Sequence, residues 1–179
     1  MRAWIMAVLV GMAGAWAQPA MAQGCAAKLS VPWAGADGVS IVVASSGPKC
    51  ATAKIRLDLR DRAGTETEVY VGKVDENAAF YEVTDLASMK KALGAWIVDA
   101  AKARKTTADL PRWAKGKEQP MNGEFPFYPD EGVDRSMYED LRGQKRPMLC
   151  YIQGMESEAC IFLDGHGDAN MIGAQSFPG

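Results

Sequence analysis

PMLCYIQGMESEAC, Pro147 to Cys160, sets two cysteines ten positions apart on either side of the polar bend Gly154-Met155-Glu156. If a strand starts at Pro147 and folds back at that bend, Cys150 falls opposite Cys160, Met148 opposite Phe162 and Ile152 opposite Glu158. Directly opposed side chains in an antiparallel pair have Cβ atoms about 4.5–5.5 Å apart, close to disulfide reach. Other chemistries of paired cysteines fit less well. A thioredoxin-type couple has two intervening residues, and structural zinc uses paired knuckles or histidines; Cys-x-x-Cys does not occur in the chain. The stretch therefore predicts a β-hairpin closed by Cys150–Cys160, a closure worth about 3 kcal/mol in the chain-entropy picture. With four cysteines in all, Cys25–Cys50 is the implied second bridge, and no metal site is expected. Leu149, Tyr151 and Ile161 lie on one face of the hairpin and Met148, Ile152 and Phe162 on the other. Apolar residues on both faces predict a hairpin at the centre of its sheet.

Upstream, Ala53, Ile55, Leu57 and Leu59 alternate with Lys54, Arg56, Asp58 and Arg60, which predicts an antiparallel strand with one wet face. Lys28 to Trp33 and Gly38 to Ala44 read as two earlier strands, Thr65 to Lys73 as the strand after the Asp61–Gly64 turn, and Ala78 to Val83 as one more. From Thr84 the period changes. Leu86, Met89, Leu93, Ile97 and Ala100 recur at helical steps, Trp96 widens the stripe, Thr84 or Asp85 can cap, and Gly94 permits close approach to the sheet. Between Thr106 and Arg146, four prolines forbid a long regular element while Trp113, Phe125, Phe127 and Tyr128 are too apolar for a free linker. An ordered proline and aromatic loop is expected there, with a short second helix spaced by Val133, Met137 and Leu141 and capped by Asp134. A last strand falls near Met171 to Phe177. The fold class is α+β: mainly antiparallel sheet packed by one long amphipathic helix, in a single domain spanning residues 23–179.

Residues 1–22 have the make-up of a secretory signal peptide. Met1-Arg2 is followed by the apolar stretch Ala3 to Ala17 and by Ala20-Met21-Ala22, a small-x-small cleavage pattern. The stretch is shorter than the ~20 residues that span a bilayer, so no integral membrane segment is expected after processing. A lipoprotein anchored at Cys25 is the weaker alternative, because bulky Gln23 stands where small residues precede a lipidated cysteine and Cys50 would lose its partner. A periplasmic or secreted location follows. The formal net charge of −2 and the lack of a basic cluster argue against nucleic acid as a partner.

The chemistry is informative mainly by exclusion. One histidine, His166, rules out HExxH and three-histidine zinc sites, and there is no Gly-x-Ser-x-Gly elbow, P-loop, dinucleotide fingerprint or haem attachment motif; no cofactor is expected. His166 sits in DGHGDAN, Asp164 to Asn170, which reads as a hairpin turn; the alternative is a small cation site or a general base oriented by Asp164 or Asp168. The stretch NGEFPFYPDEGVD, Asn122 to Asp134, gathers Phe125, Phe127 and Tyr128 inside a rim of Glu124, Asp130, Glu131 and Asp134. Those rings either fill an uncovered sheet face or, with Trp113, form a binding patch of the aromatic-centred kind common at interfaces. The expected function is an exported, disulfide-stabilised binding protein, a protein-interaction or inhibitor-like module whose partner is an envelope or extracellular protein. An envelope enzyme using His166 with Asp164 or Asp168, and a structural envelope component, are the competing classes.

Overall fold

The computed structural model describes residues 24–177, so the signal-peptide assignment for 1–22 lies outside the described residues. Strands β1 (Ala27–Pro32), β2 (Ser40–Ser46), β3 (Lys54–Arg60) and β4 (Glu66–Lys73) form one antiparallel meander. After helix α1 (Leu86–Lys102) and the long loop come β5 (Phe127–Pro129), α2 (Arg135–Gln144), β6 (Met148–Ile152), β7 (Ser157–Leu163) and β8 (Ala169–Ser176). These four strands make a second antiparallel sheet in the order β5-β8-β7-β6.

Period-two patterning builds the first sheet as expected. Ile55, Leu57 and Leu59 of β3 and Ile41 and Val43 of β2 face a first core. The opposite face departs from a simple wet surface, since Asp58 is only 1% exposed. Its Oδ2 lies 2.9 Å from Arg56 Nε without an aligned hydrogen bond, and Glu66 beside it is tied to Lys28 and Arg60. Burial pushes the Asp58 carboxyl above its ordinary range, although Arg56 pulls it down. A bulge opposite Leu57 and Asp58 bends β4. Beyond it Gly72 leaves room for the Tyr70 ring, since a Cβ there would stand 2.1 Å from the Tyr70 hydroxyl and displace it. That hydroxyl donates to Gln153 O at 2.6 Å and so ties the two sheets.

Helix α1 starts at a reciprocal cap: Asp85 accepts from Ser88 N at 2.7 Å, while Ser88 Oγ accepts from Asp85 N at 3.0 Å. Met89, Leu93, Trp96 and Ile97 are buried in the first core. Trp96 is the hub. Its ring makes edge contacts with Phe80 at 5.1 Å, Tyr70 at 5.9 Å and Tyr151 at 6.2 Å, and its indole N–H donates to Ile152 O at 2.8 Å. Gly94 does not serve close approach as expected, since a Cβ there would meet nothing within 4 Å.

Two other expectations are corrected. Ala78 to Val83 is not a strand: Ala78–Phe80 is a 3-10 turn capped by the Asn77 side chain, with Phe80 and Val83, three apart, entering the core. The cystine hairpin has the expected register, Cys150 facing Cys160 and Met148 facing Phe162, yet β6 is the sheet's edge and not its centre. Its two apolar faces have another cause. Leu149, Tyr151 and Ile161 line the first core, whereas Met148, Cys150, Cys160 and Phe162 line a second core with Leu110, Phe127, Tyr138 and Leu141. The open edge is partly satisfied locally: Met148 N donates to Lys105 O at 2.9 Å, and Ile152 O accepts from Trp96 and from Asn77 Nδ2 at 3.0 Å.

Candidate functional site

The second core explains where the loop aromatics go. Thr107 is fully buried; its hydroxyl donates to Leu141 O and accepts from Arg146 N at 3.0 Å. From there the chain runs along α2, whose side chains hold the loop backbone. Arg142 Nε donates to Leu110 O at 3.0 Å, the Tyr138 hydroxyl to Pro111 O at 2.9 Å and Arg135 Nε to Trp113 O at 2.8 Å, while Glu139 accepts from Trp113 N at 2.7 Å. A proline-rich segment cannot satisfy these groups in a ladder of its own, so α2 does it. Burial pushes the Tyr138 hydroxyl well above its usual range, and it remains a donor.

The four aromatic residues of the predicted patch separate into two pairs. Trp113 is half-buried with its ring edge-on to Tyr138 at 5.6 Å, and Phe127 is 3% exposed with its ring 6.0 Å from Tyr138. Both are packing anchors. Phe125 and Tyr128 are 45% and 51% exposed. Strand alternation sends Phe127 inward and Tyr128 outward. Their backbone is fixed: Tyr128 pairs with Ala174, Ser176 N donates to Pro126 O at 2.9 Å, and Asp130 N to Ile172 O at 3.0 Å. Gly173 makes this possible, for a Cβ on it would lie 2.4 Å from Tyr128 O and 2.7 Å from the Phe127 ring. Of the acidic rim, Glu124, Asp130 and Glu131 are exposed, while Asp134 spends a carboxylate oxygen capping α2 at Met137 N, 2.8 Å away.

His166 occupies an exposed turn between β7 and β8. Asp164 Oδ1 accepts from His166 N at 2.8 Å and Asp168 N at 3.0 Å, and Gly167 has φ 91°. The backbone donors of His166 and then Asp168 hold the Asp164 carboxyl below its ordinary range. The carboxylate thus organises the turn backbone and not the imidazole, which is the arrangement expected of an Asx-type bend. A recess of about 170 Å³ lies between this turn, Leu59 and Thr67 of the first sheet, and Asp61 just beyond β3.

Sequence reading missed the grip of α2 on the loop. Tyr138, Glu139, Arg142 and Thr107 look like ordinary residues of a short helix and a turn, because nothing local reveals that their partners are distant carbonyls and amides. Both disulfides form between the expected partners, Cys25–Cys50 and Cys150–Cys160. Among the described residues no helix is long and apolar enough to cross a membrane. In comparisons with protein-family models, curated proteins and solved structures, the chain matches none.

Proposed function

We propose that the chain is an exported binding module that uses Phe125 and Tyr128, rimmed by Glu124, Asp130 and Glu131, to dock a basic segment of an envelope or extracellular protein. The observation that carries this reading is the pairing of exposed rings with a fixed backbone: the two aromatics stand on a loop pinned to β8 and anchored by buried Phe127. Rigid aromatics lose little conformational entropy on binding, and acidic neighbours select a cationic partner. Export is supported by the leader-like residues 1–22 and by two disulfides, which persist in oxidising compartments. An inhibitor-like role is the same reading applied to a partner with enzymatic activity.

The test is affinity capture of the mature chain from envelope extract, with three baits compared by mass spectrometry: wild type, F125A/Y128A and H166A. A partner rich in exposed Lys and Arg, retained by H166A, lost with F125A/Y128A and eluted by salt, supports the docking surface. A partner or turnover lost only with H166A overturns it in favour of the His166 reading.

A further inference from the structure

Strand β4 ends the first sheet, so one of its two sides has no strand beside it. The ladder to β3 tells which of its backbone groups are left over. Asp61 N donates to Thr65 O at one end of that pair and Val74 N to Ala53 O at the other, both at 3.0 Å. Antiparallel bonding alternates residue by residue, so Ile55, Leu57 and Leu59 of β3 are the ones that exchange bonds with β4. The β4 partners of the residues between and beside them, Glu66, Glu68, Val71 and Lys73, turn their N–H and C=O outward. Among the described residues no loop backbone takes up these outward groups.

The bulge gives the outward set its symmetry. Val69 is the extra residue, since Leu57 faces Tyr70 and Asp58 faces Glu68, and both Val69 and Tyr70 lean on the first core. Glu66, Glu68, Val71 and Lys73 are therefore separated by steps of two, three and two, a spacing that reads the same in both directions. About a two-fold axis between Val69 and Tyr70, Glu66 falls opposite Lys73 of a second copy and Glu68 opposite Val71 of that copy, each pair occurring twice. No other antiparallel register matches all four. Charge agrees with this register. Glu66 is held at the edge by Lys28 and Arg60, and Lys73 by Glu76, while Val71 is 41% exposed. A bulge and charged side chains ordinarily blunt a sheet edge; here the register that matches the backbone also sets opposite charges face to face.

We infer that the chain pairs with a second copy of itself through β4, antiparallel about this two-fold axis, so that two four-stranded sheets join into one of eight strands. The outward N–H and C=O groups of each matched pair bond across the seam, and the Glu66–Lys73 pairs fix its register. An edge-to-edge seam is a small interface, so the association is reversible and depends on concentration. It is independent of the docking reading of Phe125 and Tyr128, which stand at the β5 edge of the second sheet.

The experiment is sedimentation velocity of the mature chain from roughly 1 to 500 μM, beside thermal unfolding by circular dichroism. The expected result is a monomer–dimer equilibrium. K73E sets like charges opposite each other twice per dimer and should weaken the association at least about tenfold, as should E66K. Mixed in equal amounts, the two variants have opposite charges in both pairs and should recover a dimer that contains one of each. E68P removes an outward N–H that the β3 ladder does not use and should abolish pairing. A chain monomeric throughout, a dimer indifferent to K73E, or a mixture no more dimeric than its components would each overturn the inference. If E66K melts early through loss of its contacts with Lys28 and Arg60, K73E and E68P carry the test, and undiminished dimerisation of either overturns it equally.

Discussion

The two faces of the second sheet are buried by different means. On one face, Leu149, Tyr151 and Ile161 meet α1 and the first sheet, regular elements whose apolar residues recur with a fixed period. On the other, Met148, Cys160 and Phe162 meet a short helix and a loop, and the cover is held by side chains reaching loop carbonyls. The first core is therefore governed mainly by apolar burial and the second by burial together with satisfied polar groups.

That contrast can be tested at each level. The largest effect is expected at the hub of the first core: W96A should cost about 3–5 kcal/mol in denaturant unfolding, since it empties a 6%-exposed site and leaves Ile152 O without its indole donor. In the second core the sensitive group is polar. T107V keeps the shape but strands Leu141 O and Arg146 N, and should cost about 1–3 kcal/mol by the same measurement. If T107V proved neutral, the distinction between the cores would collapse. G94A should move the other way, raising stability by about 0.5–1 kcal/mol, because the added methyl meets nothing while helix propensity improves.

The smallest effect belongs to the β7–β8 turn outside both cores. The Asp164 carboxyl is depressed by backbone donors, so its contribution is full above the ordinary carboxylate pKa and is lost as pH falls through its lower folded value. D164N should therefore destabilise slightly at neutral pH, and its difference from wild type should shrink in thermal scans taken towards about pH 3. A difference that grows with acid would contradict the assignment.

The same contrast decides what was legible in the sequence. The alternation of Ile55, Leu57 and Leu59, the stripe from Met89 to Ile97 and the Cys150–Cys160 register are each set by one local period, and all three stand in the structure. Ala78 to Val83 misled because Phe80 and Val83 enter the core through a capped 3-10 turn, three residues apart, where an alternating strand was expected. Two-sided apolarity of β6 suggests a central strand, but apolar faces report layers above and below and say nothing of hydrogen-bonded neighbours, and β6 is an edge. At the candidate site, composition picked out Trp113, Phe125, Phe127 and Tyr128 together. Which ring points inward depends on β5 pairing with β8, and on Gly173 leaving room for it, a long-range fact with no local signature.

The most direct test of that division is thermal unfolding of F127A beside F125A/Y128A. Loss of the buried Phe127 ring should lower the melting temperature by roughly 6–20 °C, while the double variant should stay within a few degrees of wild type. A double variant that melts as early as F127A, or an F127A variant that melts with wild type, would contradict the separation of anchoring rings from displayed ones.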